Sequence, residues 1–203
     1  MKTPTSLLFP LVCLVLAGPP LAAQAGALTS HLKEAALVHL DFTQTRTLAA
    51  LSRPLKASGS MVLARDQGVI WALARPVAVT YVMGPKGLLV VRPDGSQERK
   101  SARETPMVAQ MGRIFQAVAQ GDWKELESLF TVSSEGRADR WEVTLLPKPQ
   151  AAPFLKRIRL DGGRLIDRIR IDEAGGDWQE LVFEHQRTDL PLTPAEARLL
   201  AQD

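Results

Sequence analysis

Residues 41–63 read DFTQTRTLAALSRPLKASGSMVL, and the pattern in them repeats every second residue. Phe42, Gln44, Arg46 and Leu48 alternate with Thr43, Thr45 and Thr47; then Leu55, Ala57, Gly59, Met61 and Leu63 alternate with Lys56, Ser58 and Ser60. A period of two places successive side chains on opposite faces of a pleated strand, so this stretch predicts two strands of an antiparallel sheet.

Downstream the same period continues. Val69 to Leu73, Val77 to Met83 and Leu88 to Arg92 read as strands, separated by Arg75-Pro76, Gly84-Pro85-Lys86-Gly87 and Pro93-Asp94-Gly95-Ser96. Each break carries residues that favour tight turns, which predicts hairpin connections. Further strands are predicted at Phe130 to Ser134, Trp141 to Leu146, Phe154 to Leu160, Arg164 to Asp172 and Trp178 to Arg187. About ten or eleven strands in up-and-down order exclude a βαβ sheet and favour a mainly β fold.

Helical signals occur at four places. Upstream, Leu28 to Leu40 puts Leu32, Ala35, Ala36 and Leu40 on one face, with Thr29 or Ser30 as cap. Over residues 105–119, Thr105 caps, Pro106 takes the first helical position, and Met107, Val108, Met111, Ile114, Phe115 and Val118 form an apolar stripe that stops at Gly121. Asp122 and Glu125, and later Thr193 and Glu196, have capping-box spacing for two short helices, the last reaching about Leu200. A long meander needs its apolar inner face covered, and the Met-rich helix is the natural cover.

At the N-terminus, Lys2 precedes an apolar run from Leu7 to Leu16, and the stretch closes on Ala23-Gln24-Ala25. This predicts a secretory signal peptide over residues 1–25, cleaved after Ala25, with residues 26–203 forming a single domain. Pro10, Gly18, Pro19 and Pro20 interrupt the run, which is shorter than the roughly 20 apolar residues of a spanning helix. Cys13 follows Leu11 and Val12 instead of a small residue, which disfavours lipidation there. Cleavage leaves 178 residues, 24 basic and 22 acidic side chains, and no cysteine. Such a chain has no disulfide or thiolate nucleophile, and its charge is too balanced to suggest nucleic acid as a partner.

Catalytic chemistry is poorly represented. His31, His39 and His185 have no neighbours at metal-binding spacing, so no metal or other cofactor is expected. The chain has no G-x-S-x-G turn, and Lys56, Ser58 and Ser60 fall on one strand face as a solvated surface would. Asp161-Gly162-Gly163 and Gly175-Gly176 join strands and precede no helix, so neither cradles a phosphate. Lys156, Arg157, Arg159, Arg164, Arg168 and Arg170 span two adjacent strands, in which Arg157 and Arg159 alternate with Ile158 and Leu160, and Arg168 and Arg170 with Ile169 and Ile171; this is either a solvated outer face or an anionic docking surface. A binding protein is favoured over an enzyme.

Taken in order, Leu40-Asp41-Phe42-Thr43-Gln44, Ser58-Gly59-Ser60 through Leu63-Ala64-Arg65, Val69-Ile70-Trp71 and Arg75-Pro76 resemble the periplasmic lipoprotein carrier family LolA. The resemblance covers most of residues 28–195 and includes Thr105-Pro106-Met107 at the start of a lid-like helix. It implies an unclosed antiparallel β-barrel with helices as a lid over an apolar cavity, and a periplasmic monomer. Its cargo would be a lipoprotein or other lipid, received from an inner-membrane lipid-releasing transporter and passed to an outer-membrane acceptor. The implied cavity residues are Met61, Leu63, Val69, Trp71, Val79, Tyr81, Met107, Met111, Ile114 and Phe115, and Arg65 matches the arginine that latches the lid. Methionines, Met83 among them, suit a cavity that adapts to its cargo. The segment Val82-Met83-Gly84-Pro85-Lys86-Gly87-Leu88-Leu89 departs from the family's turn and its following aromatic residues, which points to a divergent branch whose cargo includes a glycolipid or polyene lipid as alternatives. A lipoprotein sensor on the same barrel and a hydrolase of acylated substrates using Ser58 or Ser60 are the competing functions.

Overall fold

The computed structural model describes residues 21–202 apart from 86, 102, 105–113, 115, 119, 120, 150, 151 and 154. Its strands are β1 Leu37–Thr47, β2 Leu55–Ala64, β3 Gly68–Arg75, β4 Val79–Gly84, β5 Gly87–Val91, β6 Gln97–Ser101, β7 Phe130–Arg137, β8 Arg140–Pro147, β9 Leu155–Gly162, β10 Ile166–Glu173 and β11 Trp178–Arg187. They form one 11-stranded antiparallel sheet in the order β6-β5-β4-β3-β2-β1-β11-β10-β9-β8-β7. Two meanders therefore meet where β1 pairs with β11, Phe42 opposite Phe183. Strands β6 and β7 lie at opposite edges, so the barrel is unclosed.

Helical segments are short. Helix α1 spans Leu21–Leu28, a 3₁₀ turn follows at Ser30–Glu34, α2 spans Trp123–Leu126 and α3 spans Pro194–Gln202. Residues 114 and 116–118 are helical, whereas Met107, Met111, Phe115 and most of the helix expected over 105–119 lie outside the described residues. Both capping expectations hold: Asp122 accepts from the Glu125 amide, and Thr193 and Glu196 bond each other's backbone amides.

Apolar layers cover both faces of the β2–β5 half. The inner layer includes Met61 and Val69 there and continues through Phe42 into the other half with Leu145, Leu160 and Leu181. On the outer face, Val62, Ala64, Ile70, Val82 and Leu89 pack beneath Leu199 and Leu200 of α3. Glycine is required at position 59: a side-chain carbon there would stand 1.9 Å from the Ala72 carbonyl oxygen, at the irregularity in the β2–β3 register.

One sequence expectation is corrected, and one strand is added to those expected. The helix expected from Leu28 to Leu40 is instead α1, the 3₁₀ turn and the start of β1, because Ala35 is extended and Val38, Leu40 and Phe42 are buried on the period of a strand. His39 consequently lies on β1 and not on a helix. Strand β6, Gln97–Ser101, adds to the strands expected; its residues are polar throughout, so an apolar alternation does not reveal it.

Candidate functional site

Residues directly opposite on paired antiparallel strands share a face, so the register defines what lines the concave side. One row runs Leu40–Met61–Trp71–Tyr81–Val90 across β1 to β5. The next runs Val38–Leu63–Val69–Met83–Leu88, and a third joins Phe42, Gly59, Leu73 and Val79. In the other half, Leu181, Ile169, Leu160 and Val143 form a row across β11 to β8. The structure thus brings Met61, Leu63, Val69, Trp71, Val79 and Tyr81 to one concave apolar surface. Trp71 meets the Phe42 ring edge-on, with centroids 5.3 Å apart.

Cover is uneven along this surface. Near the β2–β3 turn, Leu32, Met61, Leu63, Val118, Ile169 and Phe183 are among the residues around a narrow apolar pocket of about 30 Å³ that opens to solvent. Ile114, half-buried, packs against the inner core there. Toward the β1–β2 and β3–β4 turns, Trp71, Leu73, Val79 and Tyr81 are only half-buried. At that end Gln44 donates from Nε2 to Gln179 Oε1 at 2.7 Å, a polar pair at the margin of the apolar surface.

The 3₁₀ turn that closes the covered end is held from both halves of the sheet. Arg65, just after β2, donates through Nη2 to the carbonyl oxygens of Lys33 and Ala35, the latter at 3.2 Å, and its amide donates to the Ala36 carbonyl at 2.9 Å. Gln116 lines the same small pocket as Arg65. From the opposite half, the Gly163 carbonyl, between β9 and β10, lies 2.8 Å from His31 Nε2 and accepts from Trp141 Nε1 at 2.7 Å. A third contact fixes the elbow between α1 and the turn: Thr29 Oγ1 donates to the Ala25 carbonyl at 2.8 Å and accepts from Trp123 Nε1 at 2.6 Å.

Sequence reasoning singled out Arg65 but gave no such role to His31, which ties the same turn from the other half, nor to Gln44 and Gln179. Gln44 carried a signal, since it stands two residues after Phe42 and shares its face; the His31 contact spans 132 residues and carried none.

Three basic residues of β9 and β10, Arg157, Arg168 and Arg170, are paired with carboxylates. Asp172 accepts from Arg157 and Arg170, Arg170 also lies 4.1 Å from the Trp178 ring centroid, and Arg168 reaches Asp161 and Glu180. That face reads as a paired outer surface. Ser60 and Lys56 are exposed on the outer face, and Ser58 shares it, opposite the concave surface. Among the described residues, no three His, Cys, Asp or Glu side chains are grouped to hold a metal, and no helix is long and apolar enough to cross a membrane.

A family model described as "Outer membrane lipoprotein carrier protein LolA-like" matches residues 17–189. No curated protein matches the chain. Solved structures that resemble it include a LolA superfamily protein from Nitrosomonas europaea, 13% identical over 82% of this chain and 94% of that one with a TM-score of 0.45. A DUF1329 family protein from Desulfovibrio piger is 10% identical over 87% and 97%, with a TM-score of 0.48. The Pseudomonas aeruginosa MucA/MucB complex gives 14% identity over 87% of this chain and 60% of that one, with a TM-score of 0.49.

Proposed function

The chain belongs to the LolA-like outer membrane lipoprotein carrier family, and on that premise we propose that it is a periplasmic carrier that shields the acyl chains of a lipoprotein or other lipid in transit from inner to outer membrane. The observation that carries this reading is the continuous apolar concave surface of an unclosed sheet, one end covered by a strapped helical turn and the other half-exposed. Removing acyl chains from water is worth about 0.8 kcal/mol per CH₂, so burial of some 14 methylenes contributes on the order of 11 kcal/mol without any catalytic group.

In this reading a signal peptide is removed after Ala25, taking with it most of α1 and the Ala25 carbonyl that Thr29 meets, so that Trp123 remains the tie to Thr29; residues 26–203 act as one monomeric domain that uses no cofactor. An inner-membrane transporter supplies the cargo and an outer-membrane acceptor takes it. Arg65 and His31 hold the cover closed, and cargo displaces it. The aliphatic and thioether side chains of Met61, Leu63 and Met83 repack around acyl chains of different length.

The test is transfer. The purified protein is incubated with inner-membrane vesicles carrying labelled acylated cargo, separated from them, and offered to outer-membrane vesicles. Cargo leaving the first membrane as a soluble complex supports a carrier. Cargo that stays with the donor vesicles, or is hydrolysed, contradicts it.

A further inference from the structure

We propose that the turn end of the β1–β4 region is a docking surface for an anionic lipid bilayer. Two connections stand side by side there: residues 48–54 between β1 and β2, and residues 76–78 between β3 and β4. The register fixes this, with Arg46 opposite Leu55 and Ser58 opposite Arg75.

Three large apolar side chains face solvent here, Leu51 and Val77 on these segments and Leu55 at the start of β2, at 45%, 70% and 50% exposure respectively. They account for three of the five exposed large hydrophobic residues among those described. Interleaved with them are Arg53, Lys56 and Arg75, all exposed. Among the described residues none of these three cations has an acidic partner, in contrast to Arg157 and Arg170, which share Asp172, and to Arg46, which reaches Glu173. Apolar tips surrounded by unneutralised cations fit a membrane interface: the apolar groups enter the headgroup–acyl boundary while the cations meet lipid phosphates.

Position gives the surface a use. It adjoins the less covered end of the concave face, where Leu73 and Val79 are half-buried and pair across β3 and β4. An acyl chain leaving a bilayer against this rim meets Val79, Leu73 and Trp71 before it meets water. The purpose rests on the carrier reading, whereas the docking itself is measurable without cargo.

Vesicle co-sedimentation of the purified protein tests it. Binding to vesicles containing phosphatidylglycerol is expected to exceed binding to phosphatidylcholine alone and to weaken with salt. Each cation near an anionic surface contributes about fivefold in partition, so the combined Arg53→Gln, Lys56→Gln and Arg75→Gln variant should lose on the order of a hundredfold. Leu51→Ser, Leu55→Ser and Val77→Ser together should abolish binding; the single Val77→Ser variant provides the same reading with the smallest disturbance. Equal binding to both vesicle types, wild-type binding by both combined variants, or no binding at all overturns the proposal. A fluorescent fatty-acid probe run in parallel separates the two claims: retained probe binding without docking removes this surface alone, and docking without probe binding removes the carrier reading.

Discussion

Trp123 Nε1 donates to Thr29 Oγ1 at 2.6 Å with both residues buried, which ties the segment entering β7 to the elbow that covers the cavity. Gly121 fits beside it with φ +61, since a side-chain carbon there would lie 3.2 Å from the Thr29 carbonyl oxygen. Thr29→Val keeps the volume but leaves the buried indole N–H without an acceptor. It should destabilise the fold by about 1–3 kcal/mol in urea unfolding, with circular dichroism unchanged in buffer. An unaltered midpoint would show that the pair does not fasten the cover.

Arg65 contributes charge-assisted hydrogen bonds to two carbonyls, a geometry that no apolar residue reproduces. Arg65→Leu should leave the sheet folded and speed release of a bound fatty-acid probe by roughly tenfold, the equivalent of about 1.4 kcal/mol. Stopped-flow dissociation reads this directly. Release at the wild-type rate would deny Arg65 the latch role.

Gly59→Ala pushes a methyl group into the β3 backbone at Ala72, where no flexible side chain can give way. A loss beyond about 3 kcal/mol is expected, near the upper range for overpacking, with most of the protein misfolded on expression. A soluble, cooperative variant would contradict the tight β2–β3 approach.

Much of this architecture was legible from period two and turn chemistry, because hairpins are local: Gly84 to Gly87 and Asp161 to Gly163 announce their connections in adjacent residues. The seam between the two meanders was not, since Phe42 and Phe183 are 141 positions apart and nothing near either marks the other. Leu32, Ala36 and Leu40 have helical spacing, yet Val38, Leu40 and Phe42 also satisfy a strand, and sheet pairing decided between them. The outer layer left a signal: in Met61-Val62-Leu63-Ala64 and Val69-Ile70-Trp71 both faces are apolar, which demands a second cover, and α3 supplies it. Alternation told which residues share a strand face, and the resemblance named the inner one, whereas His31 and Gln179 depend on contacts between distant strands.

Asp172 gives the structure an acid sensitivity. Burial works to raise its pKa, but hydrogen bonds from Arg157 and Arg170 outweigh this and hold the carboxyl below its ordinary value of 3.8. A depressed folded-state pKa means that the unfolded chain takes up the proton more readily. The stabilisation is therefore complete above the unfolded-state pKa and is lost as pH falls through the folded-state one. Asp172→Asn should lower stability at neutral pH and flatten the decline below about pH 4 in thermal melts. A variant with the wild-type acid profile would exclude the Arg157–Asp172–Arg170 cluster as its source.

Occupancy of the concave surface is most directly read by native mass spectrometry of the purified protein, with lipid extraction from the same sample. Acyl lipid should copurify at about one molecule per chain and be lost when Val79→Glu and Tyr81→Glu place charges on the half-buried end of that surface. A clean apo mass, with no acyl lipid in the extract and none taken up on incubation, would contradict a lipid carrier.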